Sequence, residues 1–237
     1  MEDAKVCLNM DDHRGVSAFA GSRTKRDNKC KGKDEVLIPI LDGLNLSKPK
    51  NFRAILMPCL FGREGFYLIG HGVPASNIVC LERDKEIWEE IRYCRNPERK
   101  ALKGIVTTEQ PCSSAHGITW VSDVYPRWQF DFVYMDYFSR MNLEHIEGVL
   151  AKLLRLRMLK KRATLVLTFG ENRAREKIVN FDRNLRKLTN KPCEAVIAYL
   201  VKKLNYPKPS FYDTQSYISN AGKNRRLTYH TTLVKWE

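Results

Sequence analysis

The sequence lacks most of the features that would assign it quickly. No apolar run approaches the roughly 20 residues needed to cross a bilayer. The opening "MEDAKVCLNMDDHRG" has no basic stretch leading into an apolar core, so a secretory signal is not expected. The seven cysteines, Cys7, Cys30, Cys59, Cys80, Cys94, Cys112 and Cys193, are odd in number, scattered and free of any C-x-x-C pair. That pattern argues against a zinc site and a disulfide framework, and for reduced thiols in a cytosol-like, intracellular setting. The histidines, His13, His71, His116, His145 and His230, share no metal-ligand spacing, and neither G-x-S-x-G nor H-E-x-x-H occurs. G-x-G-x-x-G is absent, as is the G-K-[ST] of a phosphate-binding loop.

Acidic residues are also scarce. Against 41 lysines and arginines stand 27 aspartates and glutamates, a formal charge of +14 in 237 residues. Such an excess favours a polyanionic partner, because lysine and arginine replace the counterions condensed on phosphates. The cations cluster at Arg23–Lys33, Arg155–Arg162, Asn172–Lys177 and Gly222–Arg226. Nucleic acid is therefore the expected partner. A membrane surface is the weaker one, since no amphipathic anchor with aromatics stands out.

Residues 1–34 are charged and poor in large apolar side chains, and read as a flexible basic arm ahead of an α/β domain over 35–237. Asp34–Leu46 offers a first packing element. Beyond it, short apolar runs alternate with helical patterns. Strands are expected at Arg53–Leu60, Asn77–Glu82, Lys103–Thr108, Phe130–Asp136 and Ala163–Phe169. Helices are expected at Gly65–Val73, Asp84–Arg95, Leu143–Leu159 and Cys193–Leu204, with Ile87, Ile91 and Cys94 on one face of the second. The segment through Gly117–Asp123 reads as irregular. Ser210–Ser219 and Arg225–Trp236, joined by "NAGKN", read as a hairpin. Alternating strands and helices call for a doubly wound, mostly parallel sheet, here with an antiparallel hairpin at its C-terminal end.

This order, over roughly Asn51 to Trp236, resembles that of class I S-adenosylmethionine-dependent methyltransferases, Rossmann-like enzymes with a reversed last hairpin. The resemblance implies S-adenosylmethionine as cofactor and direct methyl transfer. The charge makes nucleic acid, RNA or DNA, the expected acceptor, and the histidine and cysteine spacing leads to no expected metal. In such a sheet the ligand lies at the carboxyl ends of the strands, where strand order reverses. "ILMPCLFGREG" ends the first strand with Pro58, Cys59, Gly62 and Gly65, glycines that let backbone approach a ligand. "IVCLERD" ends the second with Glu82 and Arg83, the acid placed to hold both ribose hydroxyls. Unlike the usual methyltransferase motif, the first strand carries no acid and its turn reads G-x-x-G. Asp123 in "WVSDVYP" is an acceptor for the adenine amino group if that segment, rather than Lys103–Thr108, is the third strand.

At the end of the fourth strand, Asp136-Tyr137-Phe138-Ser139 is similar to the [DNS]-P-P-[YF] of amino-methyltransferases, with the acid and aromatics but without the prolines. That likeness implies that Asp136 accepts from the target amine while Tyr137 and Phe138 stack on the base. The other reading packs both aromatics under the following helix. "EQPCSSA" and "FGENR" are similar to the Pro-Cys and Glu-Asn motifs of cytosine-C5 methyltransferases. Cys112, however, precedes the fourth strand, whereas that family's cysteine follows it. Lys160, Lys161, Arg162, Arg173, Arg175, Lys223, Arg225 and Arg226 are the expected phosphate contacts. The competing expectation is a nucleic-acid-binding or viral or mobile-element assembly protein that kept the fold and lost catalysis.

Overall fold

The computed structural model describes residues 35–57, 63–95, 97–137, 146–170, 192–203, 205, 208–220 and 226–235. The expected basic arm, 1–34, lies outside them, as do residues 221–224 of the "NAGKN" turn. Helix α1 (35–42) is followed by β1 (Ala54–Leu56), α2 (Arg63–Gly70), β2 (Ile78–Cys80), α3 (Lys85–Tyr93) and β3 (Val106–Thr107). Next come α4 (Ser114–Val124) and β4 (Phe130–Asp136). The helix after them, α5, is π-helical over Ile146–Ala151 and α-helical over Lys152–Arg155. The chain continues through β5 (Leu159–Gly170), α6 (Pro192–Lys203), β6 (Phe211–Asn220) and β7 (Arg226–Lys235).

The strands form one sheet in the order β3-β2-β1-β4-β5-β7-β6. The first five pair in parallel, and β7 runs antiparallel between β5 and β6. This is the expected doubly wound α/β class. Side-chain alternation explains the two helical layers. Ala54, Leu56, Ile78, Cys80, Phe132, Tyr134 and Val166 point to one face, where they pack with Leu37 and Leu41 of α1, Leu68 of α2 and Ile91 of α3. Ile55, Val79, Val133, Met135, Leu165 and Leu167 point to the other, against Ile118 and Val121 of α4, Leu153 of α5 and Leu200 of α6. A strand buried on both faces reads as an unbroken apolar run, as Phe132–Met135 of β4 and Leu165–Leu167 of β5 do.

Several elements differ from the sequence expectation. The segment read as irregular is helix α4. Its N-cap is Ser113, whose Oγ accepts from the His116 amide at 3.4 Å. Thr119, Trp120 and Val121 favour strands intrinsically, but burial of Ile118 and Val121 four and seven residues after Ser114 overrides that preference. The helix expected to run to Leu159 stops at Arg155, and β5 starts at Leu159 rather than Ala163. In α3 the buried face is Trp88 and Ile91, and Cys94 is the left-handed C-cap.

Candidate active site

Strand order reverses at β1, which pairs with β2 on one side and β4 on the other. The crevice at their carboxyl ends is where this architecture receives a ligand. The ladders run to the rim of that crevice. Leu81 N donates to Leu56 O at 2.9 Å, and Met57 N donates to Tyr134 O at 2.8 Å.

Glu82 follows β2 at this rim and is half-buried. Its Oε1 accepts the amides of Arg83 and Asp84, both at 2.8 Å, which fixes the plane of the carboxylate. Asp84 is occupied elsewhere. As the N-cap of α3, its Oδ1 accepts from Glu86 N at 3.0 Å and Ile87 N at 3.2 Å. Burial pushes the Glu82 carboxyl above its ordinary value, only partly offset by the two amide hydrogen bonds. Arg83 is exposed.

A tied loop forms the neighbouring wall. Trp88 Nε1 and Arg92 both donate to Thr108 O, at 3.1 and 2.9 Å, and Arg92 also donates to Glu109 O at 3.1 Å. Thr108 Oγ1 donates to Gln110 O at 2.7 Å, and Cys112 N closes the loop onto Glu82 O at 3.0 Å. Burial pushes the Cys112 thiol up, against a hydrogen bond to Thr108 that lowers it. A thiol held protonated is not the thiolate that a covalent mechanism needs.

One carboxylate at this edge escaped the sequence reading. Glu64, in the first turn of α2, is fully buried. Burial pushes the Cys80 thiol up, with Glu64 and Glu82 adding to the effect, so both acids stand close to the end of β2. The only signal in the sequence was an acid in the first turn of a helix, a common placement that complements the helix dipole.

Several expected roles need correction. Gly65 is buried, and a Cβ there would meet Leu102 Cδ2 at 3.3 Å and Ile105 Cδ1 at 3.4 Å. Its missing side chain lets α2 sit close to the core, and does not open the backbone to a ligand. Asp123 lies in the last turn of α4, exposed, at the amino edge of the sheet. The third strand is Val106–Thr107, so Asp123 is at the wrong end for adenine. Tyr137 is 3% exposed, and its hydroxyl donates to Ser114 Oγ at 3.4 Å under α4. Alternation along β4 turns it away from Asp136, so it does not present a stacking face. Asp136 itself ends β4 at the crevice, 3% exposed, on the face shared by Tyr134.

Lys160 is also spoken for. Its Nζ binds Asp131 Oδ2 at 2.7 Å and Asn51 O at 3.0 Å. Lys160, Lys161 and Arg162 all sit at the start of β5, on the edge opposite the crevice. Arg226, the first residue of β7, is on the crevice edge because that strand runs antiparallel. Pro58, Cys59, Gly62, Phe138, Arg173, Arg175, Lys223 and Arg225 lie outside the described residues. Among the described residues, no group of three or more His, Cys, Asp or Glu is placed to hold a metal. No helix among them is long and apolar enough to cross a membrane.

No family model and no curated protein matches the sequence. Solved structures do match the fold. A protein of Clostridium thermocellum assigned as an rRNA methylase superposes with a TM-score of 0.51 at 11% identity, over 87% of this chain and 96% of that one. The Bacillus cereus O-methyltransferase in complex with SAH gives a TM-score of 0.48 at 13% identity, over 92% and 94%. M. jannaschii TYW2 in complex with AdoMet gives 0.49 at 15% identity, over 94% and 80%. The strand order with its inserted antiparallel β7, together with the Clostridium superposition, gives this chain the class I methyltransferase fold.

Proposed function

We propose that the protein is an S-adenosylmethionine-dependent methyltransferase acting on nucleic acid. The observation that carries the reading is Glu82. Its half-buried carboxylate stands at the carboxyl end of β2, beside the switch point, with one oxygen pinned by two backbone amides. A carboxylate fixed in this way fits a ribose diol, whose two hydroxyls donate in parallel to paired acceptor oxygens. Residues 58–62 of the first turn, and the tied loop from Thr108 to Cys112, would complete the cradle. When bound, the cofactor would supply an electrophilic methyl group on sulfur.

Asp136 would orient the acceptor from the end of β4. The transfer itself needs little proton movement, so alignment and electrostatics would carry most of the rate. A net charge of +14 supports a polyphosphate substrate. The Clostridium protein of like fold is itself assigned as an rRNA methylase. Arg226 would contact phosphates from the crevice edge, and the basic residues of 172–177, 222–225 and 1–34 are the further phosphate contacts that the sequence suggests.

Calorimetric titration with S-adenosylhomocysteine, beside Glu82→Ala, tests the cofactor half of this reading. Micromolar binding that the variant loses supports it. Absence of heat and of thermal stabilisation at millimolar ligand overturns it, and leaves a nucleic-acid-binding protein that kept only the fold. Transfer of labelled methyl to RNA or DNA then identifies the substrate.

A further inference from the structure

The edge of the sheet opposite the crevice has a construction that the proposed transfer site does not use. Three segments are knitted together there. Gln129 Nε2 donates to Arg157 O at 3.1 Å, and Phe130 N donates to Met158 O at 2.8 Å. Asp131 Oδ2 accepts from Arg53 N at 2.8 Å and from Lys160 Nζ at 2.7 Å.

Two arginines on this edge hold left-handed backbone. Arg157 (φ 52°) follows α5 in a Schellman cap, with its own amide donating to Leu154 O at 3.0 Å and that of Met158 to Leu153 O at 2.9 Å. Glycine is the usual residue at that position. Arg162 (φ 68°) lies in the irregularity of β5 between the Leu159 and Thr164 pairings. An L-residue in this conformation costs roughly 1–2 kcal/mol relative to one in the right-handed region. Both arginines are exposed, and among the described residues neither guanidinium has a hydrogen-bond or ion-pair partner. The fold therefore gains nothing visible from tolerating them, which is the situation in which strain points to function.

Aromatic surface lies on the turn between α4 and β4, which Gln129 ties to Arg157. Tyr125 and Trp128 are stacked with centroids 4.2 Å apart, the Arg53 guanidinium is 4.7 Å from the Trp128 ring, and all three are half-buried. Val124, next to Tyr125 in the chain, and Leu156, next to Arg157, are 47% and 45% exposed. Arg127, Arg155 and Lys161 extend the exposed positive charge, which outweighs the exposed Asp123 at the end of α4.

We propose that this edge binds single-stranded nucleic acid, with Arg157 and Arg162 on phosphates and the Tyr125–Trp128 surface against unpaired bases. Cations interleaved with aromatic and apolar groups suit a polyanion whose bases are accessible, and a duplex offers only its phosphates. Strand β4 has seven residues, which sets this edge about 20 Å from Asp136 at about 3.3 Å per residue. The surface is thus a substrate anchor separate from the place of transfer. It rests on the nucleic-acid part of the proposed function and is independent of the cofactor part.

The test uses the full chain, a short fluorescein-labelled single-stranded RNA, the DNA of the same sequence, and the corresponding duplex. Fluorescence anisotropy is read over a range of salt. R157G/R162G places glycine where the backbone is left-handed, and should melt no lower than the wild type and bind S-adenosylhomocysteine equally. R157N/R162N, also compatible with that conformation, provides a second version. Both should bind single strands more weakly, with a log–log salt slope shallower by about 1.4 for two lost phosphate contacts. The wild type should prefer single strand over duplex, of RNA, DNA or both. Unchanged affinity and slope in both variants, equal binding of the duplex, or displacement of RNA by polyglutamate as well as by unlabelled RNA would each overturn the proposal. A wild type that binds none of the probes removes this inference and the nucleic-acid substrate together, whereas the titration with S-adenosylhomocysteine is unaffected.

Discussion

Replacing Glu82 by glutamine is the most informative single perturbation, because it keeps the shape of the side chain and removes its charge. Glutamine retains an oxygen to accept the amides of Arg83 and Asp84, which the carboxylate holds at 2.8 Å, so the turn into α3 should survive. What is lost is the pair of ionised acceptors for a diol, and a donor is introduced where a second acceptor should be. A hydrogen bond to a charged group is worth about 1.5–3 kcal/mol. Because Oε1 is already shared with two amides, the loss should be about 2–3 kcal/mol in total, or roughly 30- to 150-fold in Kd for S-adenosylhomocysteine.

The same residue sets a pH dependence. Burial raises the Glu82 pKa in the free protein, and donors from a diol would favour the ionised form and lower it, so binding should release a proton. Affinity should therefore fall as pH drops through the raised pKa of Glu82, and E82Q should lose that dependence. Stability of the free protein runs the other way. In the window above the ordinary carboxylate value the folded state binds more protons than the unfolded state. Its stability accordingly declines as pH rises through that window, and E82Q should flatten this slope too. Calorimetry at several pH values in buffers of different ionisation heat measures both affinity and proton release. An E82Q variant that binds as tightly as the wild type, with the same proton release, would refute the placement of Glu82 against the ligand.

Asp131→Ala removes the acceptor shared by Arg53 N and Lys160 Nζ, and should cost about 1.5–3 kcal/mol in thermal or denaturant unfolding. Its affinity for S-adenosylhomocysteine should not change, because Asp131 is on the opposite edge. Gly117→Ala places a Cβ 2.7 Å from Leu81 Cδ2 in the core. Overpacking of about 1–3 kcal/mol, offset by about 1 kcal/mol of helix propensity, should lower Tm by a few degrees. It should also weaken ligand binding, because the residue that must shift is the neighbour of Glu82. Tyr67 is pushed up to about 12 by burial and by its 2.6 Å hydrogen bond to Asp42. Its contribution to stability should be complete below the ordinary tyrosine value of 10.0 and lost as pH rises toward 12, and Tyr67→Phe should abolish that alkaline decline in chemical denaturation.

Some of the fold around the candidate site was legible in the chain because local chemistry is enough to read it. A run bounded by turn residues and ending in an acid, Ile78 to Glu82, has few structural meanings once a helix follows it. Phe130–Asp136 was readable to the residue, since its buried stretch Phe132–Met135 is an apolar run closed by the charge of Asp136. Helix α4 was not readable. Its β-branched and aromatic residues carry a strand signature that is reversed only by packing against Leu81 and the sheet. Gly65 and Tyr137 were misjudged for a related reason. A glycine near a strand end can serve a ligand or a helix contact, and an aromatic after a strand can face substrate or core. Leu102 and Ile105 answer the first question, and Ser114 answers the second.

The sequence by itself determined the class of the fold, the acid at the end of β2 and the protein's own net charge of +14. These follow from alternation, hydrophobic periodicity and the counting of charges, which act locally or add over the chain. Only the tertiary structure decided which end of the sheet Lys160–Arg162 and Arg226 occupy, and that Lys160 is committed to Asp131. It alone brought Glu64 and Glu82 to the same strand end. The direction of a strand is invisible in its composition. Parallel pairing fixes it, and with it sends Glu82 after β2 and Asp136 of β4 to one edge and Lys160, Lys161 and Arg162 at the start of β5 to the other.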